Sequence, residues 1–537
     1  MKSIITLFFL ILTGFAFSQD LVLIKFSDKP SSQTYFDNPL LMLSQKALDR
    51  REKYNIDLNL QDVPVETSYV TQIEALGINP IAVSKWFNGV FAWCTSAQVS
   101  QAEALGFVSE VETFVQDKFK TSNGTPLADK FNLPNEIPQG SEGILDFVYG
   151  ATETQVTQLN LDYLHDLGFT GDGITIAVMD NGFPGVDTVE GFAYLRNNGQ
   201  IKGGYNFIDD NENYYERGTH GTVVLSTMGG YLENQFVGTA IDADYYLFIT
   251  ENTDHEMPDE EVNWIEAAER ADSIGVDVIN TSLGYNEFDD PRYDYTYEDM
   301  DGQTTFITRG AQIAAEKGIM VVNSAGNSGN DSWHFITAPA DGVDVFTIGA
   351  VRANGQASSF SSYGPTFDGR IKPDVDALGS GAAVIRPDGD IDESSGTSFS
   401  SPIMAGAMAC FIQAFPETIP SEMRQTVRES GHLYPNPTAQ LGYGIPDFGE
   451  AYDDMMSVKD FMEESLVSIY PNPTSGILNI QSEKPIRQIQ LISMEGKIVR
   501  KYNAVNQINI QELPKGVYVV KVQLENGKME VHKLVKK

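Results

Sequence analysis

Three short segments of this 537-residue chain carry an acid, an imidazole and a hydroxyl in settings that suit them to reaction. Ile174-Thr175-Ile176-Ala177-Val178-Met179-Asp180-Asn181-Gly182 runs an apolar strand into a carboxylate and then a turn. Gly218-Thr219-His220-Gly221-Thr222 puts a histidine at a helix start, and Gly396-Thr397-Ser398-Phe399-Ser400-Ser401-Pro402 puts a serine before a small-residue helix over Ile403 to Ala414. A serine hydroxyl is a poor nucleophile until a neighbouring imidazole removes its proton. A buried carboxylate then holds the imidazole tautomer and stabilises the imidazolium. Small flanking residues would let a substrate backbone approach closely. Each segment alone has a plainer reading: Asp180-Asn181-Gly182 as a turn that favours positive φ, His220 as a loop or metal histidine, Ser398 as a helix cap beside Thr397. Taken together they point to nucleophilic catalysis.

The elements that must position these residues follow from apolar patterning. Ile174 to Met179, Asp277 to Leu283, Gly318 to Ser324 and Asp344 to Val351 are near-continuous apolar runs, as in strands buried on both faces of a parallel sheet. Helical stretches such as Glu261 to Ile274 and Ala311 to Lys317 lie between them. The expected architecture from Tyr149 to Tyr452 is a three-layer α/β domain with a mainly parallel sheet, whose site gathers at the carboxyl ends of the strands.

In the order Asp, His, Ser, the three motifs resemble those of the subtilisin-like serine peptidases, the subtilases, an order already known as a mark of that family. The resemblance spans roughly Tyr149 to Tyr452, and the serine motif is its most specific part. It implies that Asp180, His220 and Ser398 form a catalytic triad. Val321-Val322-Asn323-Ser324-Ala325-Gly326-Asn327-Ser328-Gly329 ends a strand with an Asn, and the resemblance makes Asn327 the side-chain donor to the tetrahedral oxyanion. Such a donor contributes about 3 to 4 kcal/mol, a figure measured within this family. Ser282-Leu283-Gly284 resembles the strand that pairs with substrate backbone, and Ser324-Ala325-Gly326 the opposite wall of the pocket for the residue before the cut. Binding by strand addition runs through main-chain hydrogen bonds, so pockets alone would set specificity. Both segments also read as core strands. Phe360 to Pro365 and Asp368 to Val375 are family-like, whereas Asp376-Ala377-Leu378-Gly379 has Asp and Leu where the family commonly shows apolar residues and proline, which puts the local loop shape in question. No cofactor is required for the chemistry. The insertion Phe288 to Thr305, with Asp289, Asp290, Asp294, Glu298, Asp299 and Asp301, reads either as a structural calcium site or as a solvated acidic loop, so no metal ligand is assigned.

Charge and composition narrow the partners. The formal charge is −38, from 36 Lys and Arg against 74 Asp and Glu, which disfavours nucleic acid and anionic membrane surfaces. Two cysteines, Cys94 and Cys410, leave stability to the cores. Residues 1–18 read as a secretory signal: Lys2, an apolar run from Ile4 to Leu12, then Ala16-Phe17-Ser18. That run is short for a membrane anchor, which needs about 20 residues.

The flanks differ from the centre. Residues 19–118 read as strand Leu21 to Phe26, helix Glu66 to Leu76, strands Pro80 to Trp86 and Gly89 to Thr95, helix Ala97 to Leu105 and strand Phe107 to Glu112, a β-α-β-β-α-β ferredoxin-like α+β domain. This order, with Asn88-Gly89-Val90-Phe91-Ala92, resembles the inhibitor-type propeptides of subtilases, which implies a prodomain that assists folding and blocks the cleft until cut in the polar linker 119–148. The peptidase-like domain is placed at 149–455 and a short linker at 456–466. Residues 467–537 alternate as strands of a small all-β sandwich and carry 11 Lys and Arg against 5 Asp and Glu, reversing the charge of the rest. Val467-Ser468-Ile469-Tyr470-Pro471-Asn472-Pro473-Thr474-Ser475-Gly476, Met494-Glu495-Gly496-Lys497 and Leu513-Pro514-Lys515-Gly516-Val517-Tyr518 resemble the type IX secretion sorting domain of Bacteroidota, with a binding β-sandwich as the plainer alternative. The expectation is a secreted serine endopeptidase made as a zymogen, a monomer that acts on proteins or peptides, with its own propeptide as intramolecular inhibitor and the outer-membrane secretion machinery as a partner. A binding protein on a dead scaffold would lack a triad position. An α/β-hydrolase esterase would use Gly-x-Ser-x-Gly and put its serine first.

Overall fold

Strands without a polar face are stable only between two covering layers, and the centre of the chain satisfies this with a seven-stranded parallel sheet. A computed structural model describes residues 19–116, 147–462, 467–482, 484–493, 497–525 and 529–537. The signal segment 1–18, the linker as far as residue 146 and Met494-Glu495-Gly496 lie outside the described residues. The strand order is Val375–Leu378, Phe346–Val351, Met320–Ser324, Val278–Thr281, Thr175–Asp180, Asp244–Ile249, Ile201–Asn206. Ala177, Met179, Ile279 and Val321 point to one face and share a core with the helices Asp259–Ile274 and Phe306–Glu316. Helices His220–Gly229 and Thr397–Ala414 pack together as the other layer. The sheet is therefore the three-layer α/β arrangement expected from the apolar runs.

Two helices begin earlier than their periodicity indicates. Phe306–Glu316 starts five residues before the expected Ala311 because the Thr305 hydroxyl caps it, accepting from Thr308 N at 3.2 Å. Thr397–Ala414 starts at the Gly-Thr-Ser motif itself, so the serine lies inside the helix and not ahead of it.

The N-terminal domain forms an antiparallel sheet in the order Pro80–Ser84, Gly89–Cys94, Asp20–Phe26, Val108–Thr113, with helices Thr67–Glu74 and Ser96–Glu103, the ferredoxin-like arrangement. The strand expected over Pro80 to Trp86 ends at Ser84, where the chain turns through Asn88 at φ 51°. Between the first strand and the Thr67–Glu74 helix stand two helices that no periodicity announced, Ser32–Asp37 and Gln45–Lys53. The second buries only Ala47, Arg50 and Arg51, so its inward face is charged and no apolar stripe marks it.

The departure at Asp376 leaves the local shape regular: Val375–Leu378 is an edge strand paired in parallel with Phe346–Val351. Asp376 is fully buried beside Gly349, and neither carboxylate oxygen has a hydrogen-bond partner among the described residues. Burial pushes its pKa well above the usual carboxylate range. The folded state therefore holds a proton that the unfolded state gives up above about pH 4, and stability falls as pH rises from there toward the folded pKa. Asp376→Leu should remove this liability and raise the melting midpoint. The gain should be smallest at pH 4 and grow by about 1.4 kcal/mol per pH unit above it, until the folded pKa is reached, in calorimetric scans; a gain that does not grow with pH would contradict this reading.

The chain divides after Tyr452 into two compact units. In the second, Val467–Tyr470, Ile477–Ser482 and Gln507–Asn509 form one antiparallel sheet. Ile498–Asn503, Ile486–Ser493, Gly516–Leu524 and Met529–Lys536 form the other. Leu478, Ile480, Ile508, Ile489, Leu491, Val520 and Leu534 close one core between them, as expected of a small sandwich. The helix Phe448–Met462 crosses the position where the sequence placed a linker. Cys94 and Cys410 are both buried free thiols. No helix among the described residues is long and apolar enough to cross a membrane.

Candidate active site

Asp180 ends the Thr175–Asp180 strand at the carboxyl edge of the sheet, and His220 opens the His220–Gly229 helix. The two meet in a closed setting. Asp180 is fully buried, and its carboxylate receives His220 Nδ1 at 2.8 Å and 3.0 Å, one contact to each oxygen. Asn181 N donates to the same carboxylate at 2.8 Å, while Asn181 Oδ1 accepts from His220 N at 3.1 Å. Asn181 thus positions both partners, a role its Asn-Gly context concealed behind an ordinary turn. Glycines around the motifs serve this contact. A Cβ at Gly218 would lie 2.3 Å from Asn181 Cγ, and one at Gly221 2.5 Å from the Gly182 carbonyl oxygen. The two loops pack this closely only because those side chains are missing.

Ser398 is the second residue of its helix and is nearly buried. Its Oγ donates to the Ser282 carbonyl at 3.3 Å, and the Ser282 hydroxyl donates to the Ser398 carbonyl at 2.9 Å. Pro402 explains the second bond. Four residues on, it has no N–H to give the Ser398 carbonyl, and Ser282 Oγ supplies the missing donor. Ser282 therefore contributes its side chain to the serine helix in addition to the wall position expected of it.

Asn327 follows the Met320–Ser324 strand. Its Oδ1 accepts from both Thr397 N and Thr397 Oγ1 at 2.9 Å, which leaves Nδ2 as the donor end of the amide. Thr397 Oγ1 also accepts from Gly326 N at 3.2 Å, so one threonine fixes the amide and the adjacent wall together. The backbone N–H of Ser398 belongs to the first turn of the helix, where N–H groups have no intrahelical acceptor and the dipole favours negative charge.

The two wall segments stand side by side. Asn323 Nδ2 donates to the Leu283 carbonyl at 3.1 Å and to the Ser324 carbonyl at 2.8 Å, bridging them. Ser282, Leu283, Ser324 and Ala325 are buried, whereas Gly284 and Gly326 are half-exposed. Ala325 N is bonded within the sheet to the Ile348 carbonyl at 3.0 Å, and the Gly326 carbonyl accepts from Ser362 N at 2.9 Å. Ser324 and Ala325 thus belong to the sheet as well, whereas Ser282-Leu283-Gly284 follows the end of the Val278–Thr281 strand. Asn181, Asn323 and Thr397 are the positioning residues that sequence reading passed over, because a single Asn or Thr carries no periodic signal.

The acidic insertion uses its carboxylates locally. Asp299 Oδ2 accepts from Thr296 N and Oγ1 at 2.7 Å, Asp301 from Gln303 N and Thr304 N at 2.8 Å, and Asp289 from Glu256 N at 3.1 Å, while Asp290 pairs with Arg292. Among the described residues no group of three or more acidic, His or Cys side chains gathers as a metal site.

Residues 171–444 match the Subtilase family, residues 21–128 the Peptidase S8 propeptide domain of Bacteroidota, and residues 468–537 a secretion system C-terminal sorting domain. Serine protease AprX of Bacillus subtilis is 31% identical over 289 residues, 48% of this chain and 61% of that protein. The thermostable alkaline protease of Halalkalibacterium halodurans is 26% identical over 298 residues, 55% of this chain and 72% of that protein. Subtilisin E of Bacillus subtilis is 29% identical over 364 residues, 65% of this chain and 86% of that protein. The sorting domain indicates secretion to the outer-membrane surface or beyond through the type IX route. With a propeptide domain before it and a sorting domain after it, the central α/β domain places the chain in the subtilase family.

Proposed function

We propose that this chain is the precursor of a secreted serine endopeptidase, in which Asp180, His220 and Ser398 form the catalytic triad and Asn327 the oxyanion donor. The observation that carries the reading is the grip of the buried Asp180 carboxylate on His220 Nδ1, which leaves Nε2 as the ring nitrogen that exchanges a proton. The Ser398 hydroxyl leaves its long bond to Ser282 and gives its proton to Nε2 as Oγ attacks the peptide carbonyl carbon. The carbonyl oxygen becomes an oxyanion and receives Asn327 Nδ2 and the Ser398 N–H, both held in place before the reaction starts. His220 returns the proton to the leaving amine, which departs and leaves Ser398 acylated. Water repeats the sequence, frees the acid and restores the serine. The chemistry needs no cofactor, and the enzyme acts as a monomer on extended segments of proteins or peptides laid between Ser282-Leu283-Gly284 and Ser324-Ala325-Gly326. Cleavage in the 119–148 linker cuts the covalent connection to the prodomain.

Digestion of unfolded casein by the processed protein tests this. Internal fragments are expected; release of single terminal residues, or no digestion, would overturn the endopeptidase reading. Thr397→Val tests the amide's support. It removes the Oγ1 contacts to Asn327 and Gly326 with little change in shape, and kcat should fall about tenfold with KM nearly unchanged. A rise in KM alone, read by steady-state kinetics, would assign Thr397 to binding.

A further inference from the structure

The N-terminal domain holds the peptidase domain at two separate places on one pair of helices. The first is the face of its sheet. Glu269 accepts from Lys85 N at 2.9 Å and Trp86 N at 3.1 Å, and Phe114 stacks on Phe306 at 3.8 Å between centroids. The second is the unexpected helix Gln45–Lys53, which sits at the C-terminal ends of Asp259–Ile274 and Phe306–Glu316.

Helix C-termini present carbonyl oxygens without intrahelical donors and carry the negative end of the dipole. Arg50 and Arg51 supply both donors and charge. Arg50 Nη2 meets Asp272 Oδ1 at 2.6 Å, Arg50 Nε the Lys317 carbonyl at 3.1 Å, and Arg50 Nη1 the Val276 carbonyl. Arg51 Nη2 reaches both Asp272 oxygens, at 2.8 Å and 3.0 Å, and Arg51 Nη1 the Lys317 carbonyl. Both guanidiniums and Asp272 are buried. Ser44 N donates to the Ser273 carbonyl at 2.8 Å. Gly275, at φ 88°, permits the approach, since a Cβ there would lie 2.8 Å from Ala47 N. Asp62 joins Arg51 at 3.1 Å to Lys317 Nζ at 3.2 Å.

This anchor lies far from the triad. Asp180 is at the carboxyl end of its strand, whereas Lys46 of the same helix reaches Asp277 at 2.7 Å and the Thr175 hydroxyl at the strand's other end. A six-residue strand separates the two edges by roughly 20 Å. The contact cannot obstruct the cleft, and linker cleavage does not touch it.

We propose that Asp272 and the carbonyls of Val276 and Lys317 form a guanidinium-binding site on the peptidase domain, filled in the precursor by Arg50 and Arg51, and that this second anchor keeps the prodomain bound after the linker is cut. The proposal rests on the reading of the prodomain as inhibitor. Latency then ends when the arginine clasp is released, not when the linker is severed.

The full precursor and its Arg50→Ala/Arg51→Ala form, each followed after linker cleavage, decide the matter. In the wild type the severed prodomain should co-elute with the peptidase, and activity on a chromogenic peptide should appear only after a lag. The double variant should lose the prodomain about 100-fold faster, since removing one side of a buried charge pair leaves the other without its counter-ion. An unchanged lag and co-elution would overturn the proposal. A second measurement uses the linker-cut wild type alone, in case the variant does not fold. Argininamide should speed release relative to lysinamide or NaCl of equal ionic strength, and equal rates in all three would also overturn it. If the linker-cut wild type shows no lag at all, the inhibitor reading itself fails.

Discussion

Ser398→Ala and His220→Ala should each lower kcat/KM toward a peptide anilide by about 10⁶-fold, and the double variant should be no worse than either, magnitudes measured within this family. The loss is shared because the two side chains perform one step: without the imidazole the hydroxyl keeps its proton, and without the hydroxyl the imidazole has nothing to activate. Asp180→Asn should lose about 10⁴-fold. An amide in that place would present N–H to His220 Nδ1 as readily as oxygen, and the ring would settle in the tautomer that cannot accept at Nε2. The buried position of Asp180 strengthens this expectation, because solvent cannot supply the missing charge. Independent, multiplying losses for Ser398 and His220 would show that they do not act as a unit. Steady-state kinetics on the processed forms distinguishes the cases.

Asn327→Leu should lower kcat by about 10² to 10³-fold while KM moves by about twofold or less. The asymmetry follows from geometry. Asn327 is held through its oxygen by Thr397, so its Nδ2 is already aimed before substrate arrives and interacts most strongly when the carbonyl oxygen becomes an anion. The Asp180–His220 contact does not involve Asn327 and should survive. A parallel rise in KM would instead assign Asn327 to ground-state binding.

The candidate site was legible in the sequence because each proposed catalytic residue stands where one element becomes another: Asp180 where a strand ends, His220 and Ser398 where helices begin. Small residues and sharp turns mark such junctions. What holds these residues in place was less legible. Asn181, Asn323 and Thr397 act through a few isolated hydrogen bonds each, which leave no periodicity. The early start of the Ser398 helix was masked by Pro402, which normally argues against a helix interior; its missing N–H is offset by the Ser282 hydroxyl, a residue 116 positions away. The segments Ser282 to Gly284 and Ser324 to Gly326 lie side by side through Asn323, and Ser324 and Ala325 also serve the sheet. The arginine clasp was the least legible feature. A helix whose buried face is Arg50, Arg51 and one alanine looks solvent-exposed to any reading based on apolar spacing. The all-β class of the sandwich, by contrast, was legible, because its strands alternate and its charge reverses, although the strands Val467–Tyr470, Ile498–Asn503 and Gln507–Asn509 were not read.

The most direct test of Ser398 as the nucleophile is the site of covalent labelling. Processed protein treated with a serine-directed organophosphonate should lose activity with one adduct per chain, mapped by tandem mass spectrometry to Ser398, and labelling should fail in His220→Ala. An adduct on Ser400 or Ser401, or full casein digestion by protein that carries no adduct after treatment, would contradict the assignment.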